Sequence, residues 1–137
     1  MDFPGNNWAM YMLHLLQPCE PQIETGVINI EPAYVEVWEH ELSVTLTLIR
    51  SGGSDGEAIV NLESNDITAI AGDDYEAITD VVTFEDGETE KMLVVYIIDD
   101  HWQEIDEEFI VQIVSVTGAE MGDDLTTTIK ILDDEKE

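Results

Sequence analysis

Hydrophobic and polar residues alternate over short stretches of this chain, which is the pattern of β-strands. Residues 43–49 (Ser-Val-Thr-Leu-Thr-Leu-Ile) place Val44, Leu46 and Leu48 on one face and the threonines on the other. Comparable stretches, separated by turn-forming residues, lie at 27–30, 34–37, 58–62, 81–84, 91–98, 109–116 and 125–132. This spacing and the lack of a helical period predict an all-β fold, a seven-stranded antiparallel immunoglobulin-like β-sandwich.

Prolines and glycines indicate where the predicted strands break. The stretches at 27–30 and 34–37 are interpreted as one strand interrupted at Pro32, a residue tolerated at a sheet edge or a bulge. Asp86-Gly87 is typical of a tight turn between two strands. Pro18 and Pro21 flank a predicted linker. We therefore expect a leader or linker extension over residues 1–25 and one domain over residues 26–137.

The N-terminal extension contains an apolar stretch at residues 8–16 that is too short to span a bilayer. It also lacks the basic start and the small-residue cleavage site of a secretory signal. A leader, or an extension packed on the domain, is therefore the preferred interpretation over a secretory signal. Cys19 is the one cysteine, so the fold does not depend on an intramolecular disulfide.

The charge of the chain excludes several classes of partner. Its 137 residues carry 32 acidic and 4 basic side chains, for a net charge of −28. Nucleic-acid binding needs a basic surface that neutralises phosphates, and adsorption to anionic lipid headgroups needs basic clusters. We therefore expect no nucleic-acid partner and no direct insertion of this domain into a membrane.

Two dense acidic clusters follow predicted strands. The first, residues 99–108, begins with Asp99 and Asp100, and the second is residues 133–135 (Asp-Asp-Glu). Carboxylates at this density repel one another unless a cation neutralises them. Calcium suits such a cluster because it takes about six to eight oxygen ligands in loose geometry. The clusters therefore predict calcium binding, and the alternative is that the acids are solvated loop residues.

Other ions and other chemistries fit the sequence less well. Magnesium prefers fewer carboxylates and strict octahedral geometry, and zinc needs cysteine or histidine ligands, of which the chain has one Cys and three scattered His. An EF-hand loop is absent, so distant loops must assemble any calcium site. No nucleophile elbow, phosphate loop or catalytic histidine–carboxylate constellation is recognisable, and we expect neither enzyme activity nor catalytic residues.

Several linked motifs resemble the Calx-β domain family. They are Ala-Ile-Ala-Gly-Asp-Asp-Tyr at 69–75, Val-Thr-Phe-Glu-Asp-Gly-Glu-Thr at 82–89, Ile-Ile-Asp-Asp at 97–100, Glu-Ile-Asp-Glu-Glu-Phe at 104–109 and Ile-Lys-Ile-Leu-Asp-Asp-Glu at 129–135. The resemblance covers about residues 26–135 and implies a seven-stranded immunoglobulin-like sandwich with calcium bound at one end. Family members include regulatory domains of sodium–calcium exchangers, integrin β4 and arrays in a very large adhesion receptor.

Carried over motif by motif, the resemblance implies a set of metal ligands. The set comprises the carboxylates of Glu39, Asp74, Asp99, Asp100, Glu104, Glu107, Asp133 and Asp134 and the backbone carbonyl of Trp102. Two positions depart from the exchanger pattern, because His101 and Glu135 stand where the exchanger has aspartates. Neither departure removes a core ligand, so calcium binding is expected to survive with fewer or weaker ions.

The stretch at residues 91–98 is apolar on both of its faces. The family register places Leu93, Val95 and Ile97 in the core. The other face, made of Met92, Val94 and Tyr96, then lies near the surface. We prefer the interpretation that this face is an ordinary, partly covered sheet face, and the alternative is contact with a neighbouring module.

The function predicted from these observations is that of a calcium-binding module in a larger membrane-associated protein. Calcium would rigidify the loop end of the sandwich and its junction with a neighbouring domain, at the extracellular face of the plasma membrane in an adhesion or receptor ectodomain. One alternative is a cytoplasmic calcium-sensing domain of an exchanger-like transporter. The other is a structural module that does not use calcium.

Overall fold

The computed structural model describes residues 23–99 and 105–133. Regular structure in these ranges is almost entirely β-strand, with a 3-10 helix at Glu39–Glu41. The strands are β1 (Val27–Glu31), β2 (Tyr34–Trp38), β3 (Ser43–Ser51), β4 (Ala58–Asp66), β5 (Thr79–Phe84), β6 (Glu90–Tyr96), β7 (Glu107–Thr117), β8 (Glu120–Met121) and β9 (Thr126–Leu132). The expectations for the leader and linker at residues 1–22 lie outside the described residues.

The strands form two sheets, one ordered β6-β3-β1-β8 and the other β2-β9-β7-β4-β5. Side chains from both sheets build one hydrophobic core. The predicted all-β, immunoglobulin-like sandwich is therefore confirmed. The described residues hold nine strands rather than seven. One additional strand is the two-residue β8, which was not predicted, and the other arises because the first predicted strand is two separate strands, β1 and β2. The pairs β1–β8 and β2–β9 are parallel, so the sheets are not wholly antiparallel.

The chain changes sheets at Pro32. The predicted break at this residue is confirmed, but its two sides are not parts of one strand, because β1 pairs with β3 whereas β2 pairs with β9. Two hydrogen bonds fix the crossing: the Thr127 hydroxyl donates to the Pro32 carbonyl at 2.6 Å, and the Thr128 amide donates to the Ala33 carbonyl at 2.9 Å. The crossing lets β2 run alongside β9 to the same end of the sandwich.

Strand β6 buries one face and exposes the other, as the sequence predicts. Leu93, Val95 and Ile97 are buried in the core, because successive side chains of a strand point to opposite faces. Met92, Val94 and Tyr96 are 68%, 42% and 52% exposed. The outer surface of this strand is therefore an uninterrupted apolar stripe.

Strand pairing carries several acidic residues to one end of the sandwich, which we call the Asp133 end. Trp38 of β2 lies opposite Leu132 of β9, so Glu39 and Asp133 both leave their strands there. Glu107 opens β7 opposite Ile131, and so belongs to the same end.

Backbone hydrogen bonds bring two further segments to the Asp133 end. The Ile97 amide, just beyond β6, donates to the carbonyl of Leu42, which follows the 3-10 helix, at 2.9 Å. The Ile98 amide donates to the Asp74 carbonyl at 3.0 Å. The loop that carries Asp74 and the start of the 99–108 acidic cluster are therefore joined directly.

At the opposite end, a buried arginine closes the fold. Arg50 is 1% exposed, and its guanidinium group donates to the carbonyls of Thr25 at 2.8 Å, Gly56 at 2.9 Å and Asp55 at 2.7 Å. These bonds fasten the segment that enters β1 to the turn between β3 and β4.

Within the described residues, no helix is long and apolar enough to cross a membrane.

Candidate calcium site at the Asp133 end

Glu39 and Asp133 are buried carboxylates that follow neighbouring strands. Their side chains are 3% and 1% exposed. The Asp133 amide donates to Oδ1 of Asp106 at 3.0 Å, which fixes the backbone where the chain leaves β9. Removing a carboxylate from water costs free energy unless hydrogen bonds or a cation compensate for the lost hydration. The arrangement therefore suits the binding of a cation.

Asp74 is held in the 67–75 loop by bonds within the loop. Its Oδ2 accepts a hydrogen bond from the Ile70 amide at 2.8 Å, and its own amide donates to the Ile70 carbonyl at 2.8 Å. The side chain is 8% exposed. Because the Asp74 carbonyl also accepts from the Ile98 amide, Asp74 is tied to the backbone that leads into Asp99.

Tyr75 anchors this loop to the core. Its ring stacks on Phe109 of β7 with centroids 3.6 Å apart and planes 6° from parallel. Its hydroxyl donates to Oδ1 of Asp66 at 2.5 Å, and the Ala71 amide donates to the same oxygen at 3.1 Å. Burial, assisted by the hydrogen bond to Asp66, raises the pKa of Tyr75 to about 12. The tyrosine therefore stays neutral and fixes the loop that presents Asp74.

Asp99 gives the most direct indication that this end of the sandwich suits a cation. Its Oδ1 is buried and accepts no hydrogen bond from the described residues. A buried carboxylate oxygen without a donor is rare and costly, because nearly all buried polar atoms in proteins are satisfied. Asp99 lies at the end of the sandwich where Glu39, Asp74 and Asp133 are also buried. These oxygen donors fit calcium, which prefers carboxylate and carbonyl ligands.

The full ligand set predicted from the sequence is not assembled in the described residues. Within 23–99 and 105–133, no three acidic, histidine or cysteine side chains are grouped so that they could hold a metal ion. The structure describes Glu39, Asp74, Asp99, Glu107 and Asp133. Asp100, Trp102, Glu104 and Asp134 lie outside the described residues. The nine-residue ligand set therefore stays a prediction.

Three supporting residues were not singled out by the sequence. Asp106 belongs to the acidic cluster at 99–108 but is not among the predicted ligands, and its carboxylate accepts the hydrogen bond of the Asp133 amide. Tyr75 and Asp66 were not identified as the pair that anchors the loop. The one signal in the sequence is an aromatic residue directly after two loop aspartates, because a large apolar ring is usually buried and can anchor the loop that carries it.

Comparison with known proteins places the chain in a family. The Calx-beta domain model matches residues 23–135. Sodium/calcium exchanger 1 of Bos taurus is 37% identical over 112 residues, a match covering 68% of this chain and 12% of the exchanger. Adhesion G-protein coupled receptor V1 of Danio rerio is 32% identical over 109 residues, covering 77% of this chain and 2% of the receptor. The chain thus corresponds to a small part of either relative.

A solved structure agrees with this assignment. The crystal structure of the calcium binding domain CBD12 of CALX1.1 superposes with a TM-score of 0.75 at 28% identity, covering 79% of this chain and 44% of that chain. The family resemblance noted in the sequence is confirmed. Because the family model covers most of the chain and both sheets of the sandwich, the protein belongs to the Calx-beta domain family.

Proposed function

We propose that this chain binds calcium at the Asp133 end and that bound calcium rigidifies this end and its junction with a neighbouring domain. The observation that carries the proposal is the buried Oδ1 of Asp99, which accepts no hydrogen bond from the described residues. It lies where strand pairing gathers other buried carboxylates. The relationship to a solved calcium binding domain supports the same conclusion.

The ligands proposed among the described residues are Glu39, Asp74, Asp99, Glu107 and Asp133. Bound calcium would supply the positive charge that offsets repulsion among these carboxylates. The family resemblance adds Asp100, Glu104, Asp134 and the Trp102 carbonyl to the proposed set.

Other groups position these ligands rather than contact the ion. The Asp106 carboxylate orients the backbone of Asp133, and the Ile70 amide orients the carboxylate of Asp74. Tyr75 holds the same loop against Phe109. The proposed role is binding and mechanical support, not catalysis.

We further infer that the parent protein is a cell-surface adhesion or receptor protein, in which calcium acts as a permanent brace. By the family resemblance, Trp102-Gln103 and the short segment at 117–124, which includes β8, differ from the exchanger pattern, and this difference favours the cell-surface context. The 37% identity to an exchanger supports the alternative, a cytoplasmic regulatory domain that senses calcium. Affinity separates the two, because sensing needs a dissociation constant of about 10 μM or tighter and extracellular modules bind at about 0.1–1 mM.

Calorimetric titration of three variants tests the site. Asp99→Asn and Asp133→Asn keep the side-chain shape and remove a charge, and we expect each to weaken calcium binding about tenfold or more. The matched control is Asp123→Asn, an exposed aspartate in the loop before β9, at the opposite end of the sandwich. Wild-type affinity in either site variant would refute the ligand assignment, and equal weakening in the control would reduce it to a general charge effect.

A further inference from the structure

Among the described residues, no strand pairs with the outer edge of β6, which we call its open edge. This strand has β3 as its hydrogen-bonded neighbour and ends the sheet on its other side. Just beyond the two ends of β6, the Ile97 amide donates to the Leu42 carbonyl, and the Thr89 carbonyl accepts from the Arg50 amide. The backbone groups of the odd-numbered residues in this segment therefore point towards β3. In an antiparallel ladder the intervening residues direct their backbone groups away from the partner strand. The amides and carbonyls of Met92 and Val94 therefore point outward.

One hydrogen bond confirms this orientation. The carbonyl of Tyr96, which shares the outward register, accepts from the Glu76 amide at 3.0 Å on the side away from β3. The segment that starts at Glu76 thus covers the last outward carbonyl of β6. Met92 and Val94, further back along the strand, retain the backbone groups with which another strand could pair.

The side chains beside this edge form an apolar surface with acidic borders. Met92, Val94 and Tyr96 are all exposed on the outer face of the sheet. Val94 and Tyr96 also line a groove of about 180 Å³ whose other lining residues are Glu76, Ala77, Ile78 and Asp80. Natural edge strands are usually blunted by a lysine, a proline or a bulge. From Met92 to Tyr96, β6 has none of these.

The charged residues near this edge indicate what kind of partner it could bind. In the described residues, Lys91 of β6 is paired with Glu88 at 3.0 Å, and neither Glu76 nor Asp80 has a basic partner. A second copy of the chain is disfavoured, because each copy has a net charge of −28 and would bring its own carboxylates to the groove. An extended segment with alternating apolar and basic side chains could do three things at once. Its backbone would pair with the outward groups of β6, its apolar side chains would pack on the apolar stripe, and its basic side chains would pair with the carboxylates.

We propose that the open edge of β6 binds an extended segment of a partner protein that carries alternating apolar and basic side chains, and that this segment pairs with Met92 and Val94 as an added strand. None of the residues of this binding surface is a proposed calcium ligand. Its proposed contacts are backbone hydrogen bonds to β6, apolar packing on Val94 and Tyr96, and ion pairs with Glu76 and Asp80.

The test uses the full chain and a dye-labelled peptide of alternating lysine and valine. Fluorescence anisotropy gives the affinity, and amide chemical shifts of ¹⁵N-labelled protein locate the site. We expect saturable binding, with the largest shifts at Met92, Val94 and Tyr96. A peptide of alternating glutamate and valine, and a lysine peptide with proline in place of valine, should bind about tenfold more weakly or not at all, since they lack the charge or the backbone donors.

Two sets of variants separate charge from backbone pairing. The double variant Glu76→Lys/Asp80→Lys should weaken binding of the lysine peptide about tenfold and improve binding of the glutamate peptide. Val94→Pro removes an outward amide that does not hydrogen-bond to β3. If the proline variant does not fold, Val94→Lys is used instead, because a lysine on an edge strand opposes the addition of another strand. The matched control is Val114→Lys, a 48% exposed valine on β7, which has a neighbouring strand on each side.

Several outcomes would overturn the proposal. Equal binding of the acidic peptide, or wild-type affinity in both Val94 variants, would exclude basic strand addition at β6. Concentration-dependent dimerisation with shifts at Val94 would assign the edge to a second copy. Nuclear Overhauser contacts between residues 1–22 and Val94 in the free protein would assign it to the chain's own N-terminal segment.

Discussion

The hydroxyl group of Tyr75 allows a quantitative test of how the Asp133 end is fastened to the core. Tyr75→Phe keeps the ring that stacks on Phe109 and removes the hydrogen bond to Asp66. The tyrosine is fully buried, whereas Asp66 is exposed. The substitution therefore removes the contacts of one hydroxyl group, with Asp66 and with Ser64, without leaving a large cavity.

The expected loss of stability comes mainly from the hydrogen bond to the charged Asp66. Hydrogen bonds to charged groups contribute about 1.5–3 kcal/mol, and water can replace part of the bond at exposed Asp66, so we expect a loss of about 1–2 kcal/mol at pH 8. The pKa of Tyr75 rises from 10.0 to about 12 on folding. Between these values the unfolded chain releases the proton and the folded chain keeps it. This contribution is fully present below pH 10 and is lost as the pH rises towards 12, at about 1.4 kcal/mol per unit.

Urea unfolding followed by circular dichroism at pH 8 and pH 11 measures both effects. Wild type should lose about 1.4 kcal/mol more than Tyr75→Phe between the two pH values, so the cost of the substitution should nearly vanish at pH 11. Tyr96→Phe, at a 52% exposed tyrosine, is the matched control and should behave like wild type. The same alkaline loss in Tyr75→Phe as in wild type would refute the burial of this hydroxyl as the cause.

Two further predictions concern the opposite end of the sandwich and the charge of the chain. Arg50→Met should reduce the free energy of unfolding by about 3 kcal/mol, because a buried guanidinium group that donates to three carbonyls is lost. Lys91→Met, which breaks an exposed pair with Glu88, should leave the free energy of unfolding nearly unchanged. Equal effects in urea unfolding would contradict the proposed role of Arg50. In EDTA, raising sodium chloride from about 0.02 M to about 0.5 M should raise the melting temperature, because salt screens the repulsion between carboxylates. With calcium in excess, the same increase in salt should raise the melting temperature less. The same rise in both conditions would argue against ion-relieved repulsion.

The sequence predicted the strands best where alternation coincides with burial on one face. Residues 43–49 fall within β3, with Leu46 and Leu48 fully buried as expected. Strand β4 runs on to Asp66, beyond the predicted end at residue 62. The polar residues that extend it are held by pairing with β7, a partner distant in sequence that local pattern does not reveal.

The sheet change at Pro32 escaped prediction for the same reason. Residues 34–37 read as a continuation of β1, and only their pairing with β9 assigns β2 to the other sheet. Burial of Arg50 was also unpredictable, because an arginine normally lies at the surface and its three carbonyl partners come from segments that the fold brings together.

The candidate site, too, could be predicted from the sequence only in part. Acid density and the family motifs indicated which carboxylates belong together, and strand register places Glu39 and Asp133 at one end. The residues that position them, Asp106 and Tyr75, act through particular hydrogen bonds and ring contacts. Such contacts depend on side-chain geometry, which spacing along the chain does not encode.

Calcium titration of the full chain by calorimetry, paired with thermal melting in EDTA and in excess calcium, tests the central claim most directly. The account predicts measurable heat and a higher melting temperature with calcium. At a free concentration 100 times the dissociation constant, each site adds about 2.7 kcal/mol, equivalent to a shift of roughly 10 °C. No heat and an unchanged melting temperature at about 10 mM calcium, roughly ten times the weakest dissociation constant of extracellular modules, would contradict it. The chain would then be a structural Calx-beta domain whose acidic clusters do not bind calcium.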